Sequence, residues 1–86
     1  MKSDQQFKIL LGQWLADQRI KNGKTQEEVV KHLGVTKQSV HYYENGINMM
    51  SAKAFMHYCA YVGADPDKFV ALYKKTLPKG DKEGSF

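Results

Sequence analysis

Apolar residues recur at helical spacing in five stretches of this chain, and the clearest pattern lies in the middle. From Thr25 to Gly46 the chain reads T-Q-E-E-V-V-K-H-L-G-V-T-K-Q-S-V-H-Y-Y-E-N-G. Val29, Val30 and Leu33 fall at i, i+1 and i+4 and make one apolar face. Thr25 can cap this helix, and Glu28 three places on has the spacing of a capping box. Gly34 follows Leu33, where a left-handed residue most easily ends a helix. Val35 supplies one apolar plug for a sharp turn. Thr36 caps a second short helix, in which Val40 and Tyr43 share an inner face, and Asn45-Gly46 ends it. The opposite side of that helix shows Lys37, Gln38, His41 and Tyr42.

The flanking stretches predict three more helices. The first runs from about Asp4 to Asn22, with Ser3 opening a possible capping box and Gly23 ending it. Leu11, Leu15, Gln18 and Arg19 face its core side. Phe7, Leu10 and Trp14 form a second stripe at i, i+3 and i+7. Two readings of that stripe stay open: packing against the last helix, or a dimer or partner contact, since a small domain seldom leaves such a stripe in water. Ile47 to Met50 is a loop. Ser51 caps a fourth helix, ended by Gly63, whose inner face is Phe55, Tyr58, Cys59 and Val62. Asp65 caps a fifth helix and Pro66 takes its first turn. Phe69, Val70, Leu72 and Tyr73 are more apolar residues than one narrow stripe needs, so Val70 and Tyr73 are candidates to face a second subunit. The segment from Pro78, P-K-G-D-K-E-G-S-F, lacks periodicity and reads as a disordered tail. Residues 1–77 thus read as one all-α domain and residues 78–86 as its tail.

Composition narrows the picture without deciding it. The 86 residues suffice for one small domain, and 42% apolar content allows a modest core. No stretch approaches a membrane span, and the opening M-K-S-D-Q-Q lacks the apolar run of a signal peptide. A single cysteine cannot form an internal disulfide, which fits a reducing cytoplasm. The 13 Lys+Arg against 9 Asp+Glu give a formal charge of +4, which permits a polyanionic partner.

The middle stretch has the chemistry that DNA requires. An apolar inner face and a donor-rich outer face suit a helix that enters a major groove. Lys37 can donate to guanine O6 and N7, and Gln38 can pair with adenine N6 and N7. Tyr42 lies one turn after Gln38 on the same face, placed to meet a phosphate or a thymine methyl. His41 is adjacent, toward the groove edge. Phosphate contacts would come from Gln26 at the start of the preceding helix, where amides are free and the dipole is positive, and from Thr36, Ser39 and Asn45. Enzyme and metal readings are poor. His32, His41 and His57 are scattered, Cys59 reads as a buried inert thiol, and no phosphate-cradling glycine loop or nucleophile elbow occurs. No cofactor is expected.

The run G-K-T-Q-E-E-V-V-K-H-L-G-V-T-K-Q-S-V-H-Y-Y-E-N-G resembles the helix-turn-helix of the Cro/cI-type, or Xre-like, phage repressors. Leu11-Gly12 and Arg19 fall where that family has its first helix, and Ser51 to Phe69 follows its fourth-helix pattern, so the resemblance spans roughly residues 8–73. It implies a five-helix, lambda-repressor-like DNA-binding domain with the motif at helices two and three. It implies that Tyr42 points at DNA and supports phosphate roles for Gln26 and Asn45. It also implies an ion pair between Arg19 and Glu44 that clamps the reading helix to the first helix. The chain departs from the family at Gln18 and Trp14, at Met49-Met50, at Val30 where relatives favour alanine, and at Lys24 where they favour an apolar residue. The expected function is a transcriptional regulator, a repressor by preference, that binds double-stranded DNA as a homodimer on an inverted repeat. The alternative is an antitoxin or other interaction module that holds a protein partner through its apolar helix faces.

Overall fold

The computed structural model describes residues 4–76, so the Ser3 cap and the segment 77–86 lie outside the described residues. Within them the elements are α1 (Asp4–Lys21), α2 (Gln26–Leu33), α3 (Lys37–Glu44), α4 (Ala52–Val62) and α5 (Pro66–Thr76), with no strand. Their boundaries follow local chemistry. The Thr25 hydroxyl accepts from the Glu28 amide at 3.1 Å, while the Glu28 carboxylate accepts from the Thr25 amide at 2.8 Å. Two amides that lack an intrahelical carbonyl are satisfied reciprocally. That bond to the Thr25 backbone amide also holds the Glu28 carboxyl below its ordinary pKa. Gly34 ends α2 at φ 69° and Thr36 restarts the chain as α3, its hydroxyl accepting from the Ser39 amide at 3.0 Å. Ser51 and Asp65 cap the last two helices in the same way.

α1 runs through the middle of the assembly. One side, with Leu11 and Leu15, meets α3 and α4, where Val40, Tyr58, Cys59 and Val62 are buried. Val29 of α2 closes this core against α3 and α4. The α1–α3 crossing is close at Gly12: a methyl there would come within 2.7 Å of the Glu44 carbonyl oxygen.

The other side of α1 packs its second stripe toward the last helix. Trp14 is 8% exposed, with ring centroids 5.5 Å from Phe69 and 6.5 Å from Phe55. Phe7 packs edge-on against Phe69 at 5.7 Å and Tyr73 at 5.2 Å, and half-buried Leu10 lies against the same core. Aromatic contacts of this kind add roughly 0.5–1.5 kcal/mol each beyond area burial. Phe7 and Trp14 therefore pack on α5, Trp14 buried and Phe7 and Leu10 half-buried. α1 thus has neighbours on two sides, and its second stripe is buried at Trp14 and half-exposed at Phe7 and Leu10. Tyr73 is turned toward Phe7, whereas Val70 is 49% exposed.

Two departures from the family pattern find local explanations. The Lys24 ammonium sits 4.9 Å from the centre of the Tyr61 ring, and His32 stacks on that ring at 4.2 Å. Lys24 thus covers an aromatic face by a cation–π contact instead of entering the core. Of the methionine pair, Met50 is buried and fills the core edge, while Met49 is 47% exposed.

Cys59 is 2% exposed, and burial, with a smaller push from the Asp65 charge, raises its thiol pKa to about 11. Since the thiolate is the reactive species, native protein at neutral pH should resist alkylation and react fully only once unfolded. Mass spectrometry after a timed iodoacetamide pulse tests this; rapid labelling of folded protein would contradict it. No helix among the described residues is long and apolar enough to cross a membrane.

Candidate nucleic-acid interface

α3 has two unlike sides. Val40 is fully buried and Glu44 is 7% exposed, so this side is fixed in the protein. Lys37, Gln38 and His41 are exposed and Tyr42 is half-buried on the other. These four residues and Gln26 of α2 line one shallow, open hollow of about 540 Å³. The sequence-predicted reading residues are therefore brought together on a single surface.

Glu44 is what ties this surface to the rest. Its carboxylate lies at the C-terminal end of a helix, where the dipole disfavours negative charge, and it is buried. Four donor groups converge on it. Arg19 Nε donates to Oε2 at 2.8 Å and a second Arg19 nitrogen, Nη2, to Oε1 at 3.1 Å. Gln26 Nε2 donates to Oε1 at 2.9 Å, and the Tyr58 hydroxyl to Oε2 at 2.5 Å. The remaining Arg19 nitrogen, Nη1, donates to the Lys24 carbonyl at 2.9 Å. The expected Arg19–Glu44 pair is thus present in fork geometry, which suits a carboxylate.

Opposing influences set the charge state of this cluster. Burial is the largest single influence on Glu44 and pushes its pKa up. The bonds from Arg19, Tyr58 and Gln26, with the Arg19 charge, outweigh it and leave the carboxyl below its ordinary value. The bond to Glu44 raises the Arg19 pKa. Burial, then the bond to Glu44 and its charge, raise that of Tyr58 far above the ordinary phenol value. The cluster is a carboxylate, a guanidinium and a neutral phenol. Tyr58 was expected only as an apolar member of the α4 inner face. The signal available in the sequence was that a buried tyrosine hydroxyl needs a partner.

The phosphate-contacting candidates are placed less simply. Gln26 spends one N–H on Glu44, so a phosphate would meet its second N–H and the free amides that open α2. The Thr36 hydroxyl accepts from the Ser39 amide and donates its proton to Ser39 Oγ at 2.9 Å. Of these two hydroxyls, only that of Ser39 keeps a proton to give outward. Asn45 Nδ2 turns back onto the His41 carbonyl at 2.8 Å and lies 3.3 Å from His41 Nδ1. Asn45 in this position closes the end of α3, because its amide protons are directed at α3 itself.

The reading candidates differ in how firmly they are held. Lys37 comes only within 4.0 Å of Glu27, and both side chains are largely in solvent, so the ammonium is readily released. Gln38 Nε2 donates to the Tyr42 hydroxyl oxygen at 2.6 Å. His41 is met by Asn45 at Nδ1, which leaves Nε2 as the ring nitrogen that Asn45 does not engage.

Comparison with known proteins agrees with this geometry. A family model described as a helix-turn-helix domain matches residues 10–72, most of the chain. No curated protein matches it. The five helices are consistent with a lambda-repressor-like arrangement in which α2 and α3 form the motif.

Proposed function

The chain belongs to the helix-turn-helix domain family, and on that footing we propose that it is a sequence-specific DNA-binding regulator of the Cro/cI type. The observation that carries the proposal is the division of α3. Lys37, Gln38, His41 and Tyr42 share an open face rich in donors, while Val40 and Glu44 hold the same helix from behind. In this reading α3 lies in the major groove and its first residues meet base edges. The start of α2 and the Ser39 hydroxyl meet phosphates. Two copies bind an inverted repeat with half-sites about 34 Å apart, one helical turn. The protein represses by occupying a promoter. Val70, 49% exposed, and half-buried Phe7 line one apolar hollow of about 370 Å³ and are, with Leu10, the candidates for the contact between copies. The alternative, a module that holds a protein partner through its apolar helix faces, rests on the half-buried Phe7 and Leu10, since Trp14 is buried.

Selection of random duplex DNA by the purified protein, at a stated salt concentration, tests the proposal. An enriched inverted repeat is the expected result; no enrichment at any salt refutes it. Two variants then separate roles. Gln38→Ala should change the preferred base at one position by roughly 1–3 kcal/mol. Gln26→Ala should weaken binding to all sequences alike. Melting temperatures control for the bond to Glu44 that Gln26 also loses. Identical behaviour of the two variants would show that readers and anchors are wrongly divided.

A further inference from the structure

The reading face carries a device that a list of its residues does not reveal. Gln38 and Tyr42, one turn apart on α3, are joined by a 2.6 Å hydrogen bond in which the carboxamide nitrogen donates to the phenol oxygen. A carboxamide nitrogen has two protons, so one goes to Tyr42 and one remains. What Gln38 has left is a single N–H beside a carbonyl oxygen. That donor–acceptor couple matches N7 and the N6 amino group of adenine. The Tyr42 oxygen, having accepted, must direct its own O–H proton away from Gln38. Both residues stay accessible, Gln38 exposed and Tyr42 half-buried, on the hollow that Lys37 and His41 also line. The His41 ring centre is 6.0 Å from that of Tyr42, and Asn45 engages its Nδ1, so His41 does not compete for the pair.

The geometry points to Gln38 and Tyr42 reading the operator as one unit. Tyr42 fixes the plane of the Gln38 carboxamide, Gln38 pairs with an adenine, and the Tyr42 hydroxyl donates to an acceptor on the neighbouring base. This rests on the reading of α3 as the DNA-facing helix. Tyr42 is then a positioning residue for Gln38 as well as a contact in its own right. Holding the long glutamine side chain in place before binding removes part of the ordering cost that a free side chain incurs on the duplex.

Two independent contacts would behave differently, so a double-mutant cycle on the selected operator decides. Affinities for the operator, and for operators changed at single positions, are measured with the parent protein, Gln38→Ala, Tyr42→Phe and the double variant. The expected result is that Tyr42→Phe and Gln38→Ala each lower discrimination at the same adenine position by about tenfold. The double variant should lose no more there than either single variant, the mark of coupled residues. Tyr42→Phe keeps the ring, so its melting temperature should equal the parent's. A Tyr42→Phe loss confined to the neighbouring position, with discrimination at the adenine unchanged, or multiplicative losses at the adenine in the double variant, would overturn the coupling while leaving DNA binding intact. A parent protein that binds no duplex would instead overturn the DNA reading and the coupling with it.

Discussion

Arg19→Ala should lower the unfolding free energy by about 3 kcal/mol, the lower end for breaking a buried ion pair. In a domain of this size that corresponds to a fall in melting temperature of more than ~12 °C. The Glu44 side chain is 3% exposed, so loss of the guanidinium strands a carboxylate that water cannot reach. Gln26 and Tyr58 still donate to it but carry no positive charge. Thermal and urea unfolding measure the effect, and an unchanged melting temperature would mean that the pair does not clamp α3. The same cluster fixes a pH dependence. Glu44 has a folded-state pKa below its ordinary value of 4.5. Between the two values the unfolded chain binds the extra proton, so stability is present above about pH 4.5 and drains away as pH falls through the folded value. Tyr58 acts at the other end. Its folded pKa is raised above the ordinary 10.0, so its contribution is complete below that pH and is lost as pH climbs beyond it. Glu44→Gln should flatten the acid limb of the stability profile; persistence of that limb would assign it to other carboxyls.

Gly12→Ala should also destabilise, although alanine is the better helix former by about 1 kcal/mol. A methyl on Gly12 would lie 2.7 Å from the Glu44 carbonyl oxygen and still closer to that of Tyr43. Both obstacles are backbone atoms at the end of α3, so neither can rotate aside. α1 and α3 must separate, at a cost near the upper end of the roughly 1–3 kcal/mol typical of overpacking, for a net loss of about 2 kcal/mol. The sign decides. In open space the substitution would stabilise, so a raised melting temperature would show that the crossing is looser than described. Because Arg19 is two turns along the same helix, the separation should also weaken DNA binding by shifting α3 relative to α2.

The local chemistry of the chain was legible before its packing was. Thr25 with Glu28, Gly34, Thr36, Ser51 and Asp65 mark helix ends because each acts within a few residues of itself. The opposition of Val40 to Lys37, Gln38, His41 and Tyr42 follows from helical periodicity alone. Arg19 with Glu44 came from the resemblance to a family, since nothing in spacing joins residues 25 positions apart. What stayed hidden depends on which neighbour a buried face meets. Periodicity makes Tyr58 inward but is blind to its hydroxyl, whose partner Glu44 lies 14 residues away on another helix. It shows that Phe7, Leu10 and Trp14 share a stripe, but not that Phe7 and Trp14 pack on α5. Lys24 looked misplaced because a lysine stem and head can serve an aromatic face, here that of Tyr61, which a hydropathy pattern counts only as polar. The internal bonds of Thr36 and Asn45 are likewise side-chain choices that a sequence leaves open.

The position of Trp14 has a practical consequence. It is the sole indole in the chain, and its ring neighbours Phe55 and Phe69 belong to α4 and α5. Its fluorescence is therefore an intrinsic gauge of whether α1, α4 and α5 remain assembled, a gauge sited away from the tyrosine and histidine that line the hollow on α3. Unfolding can be followed through it directly, with no extrinsic dye and no engineered chromophore.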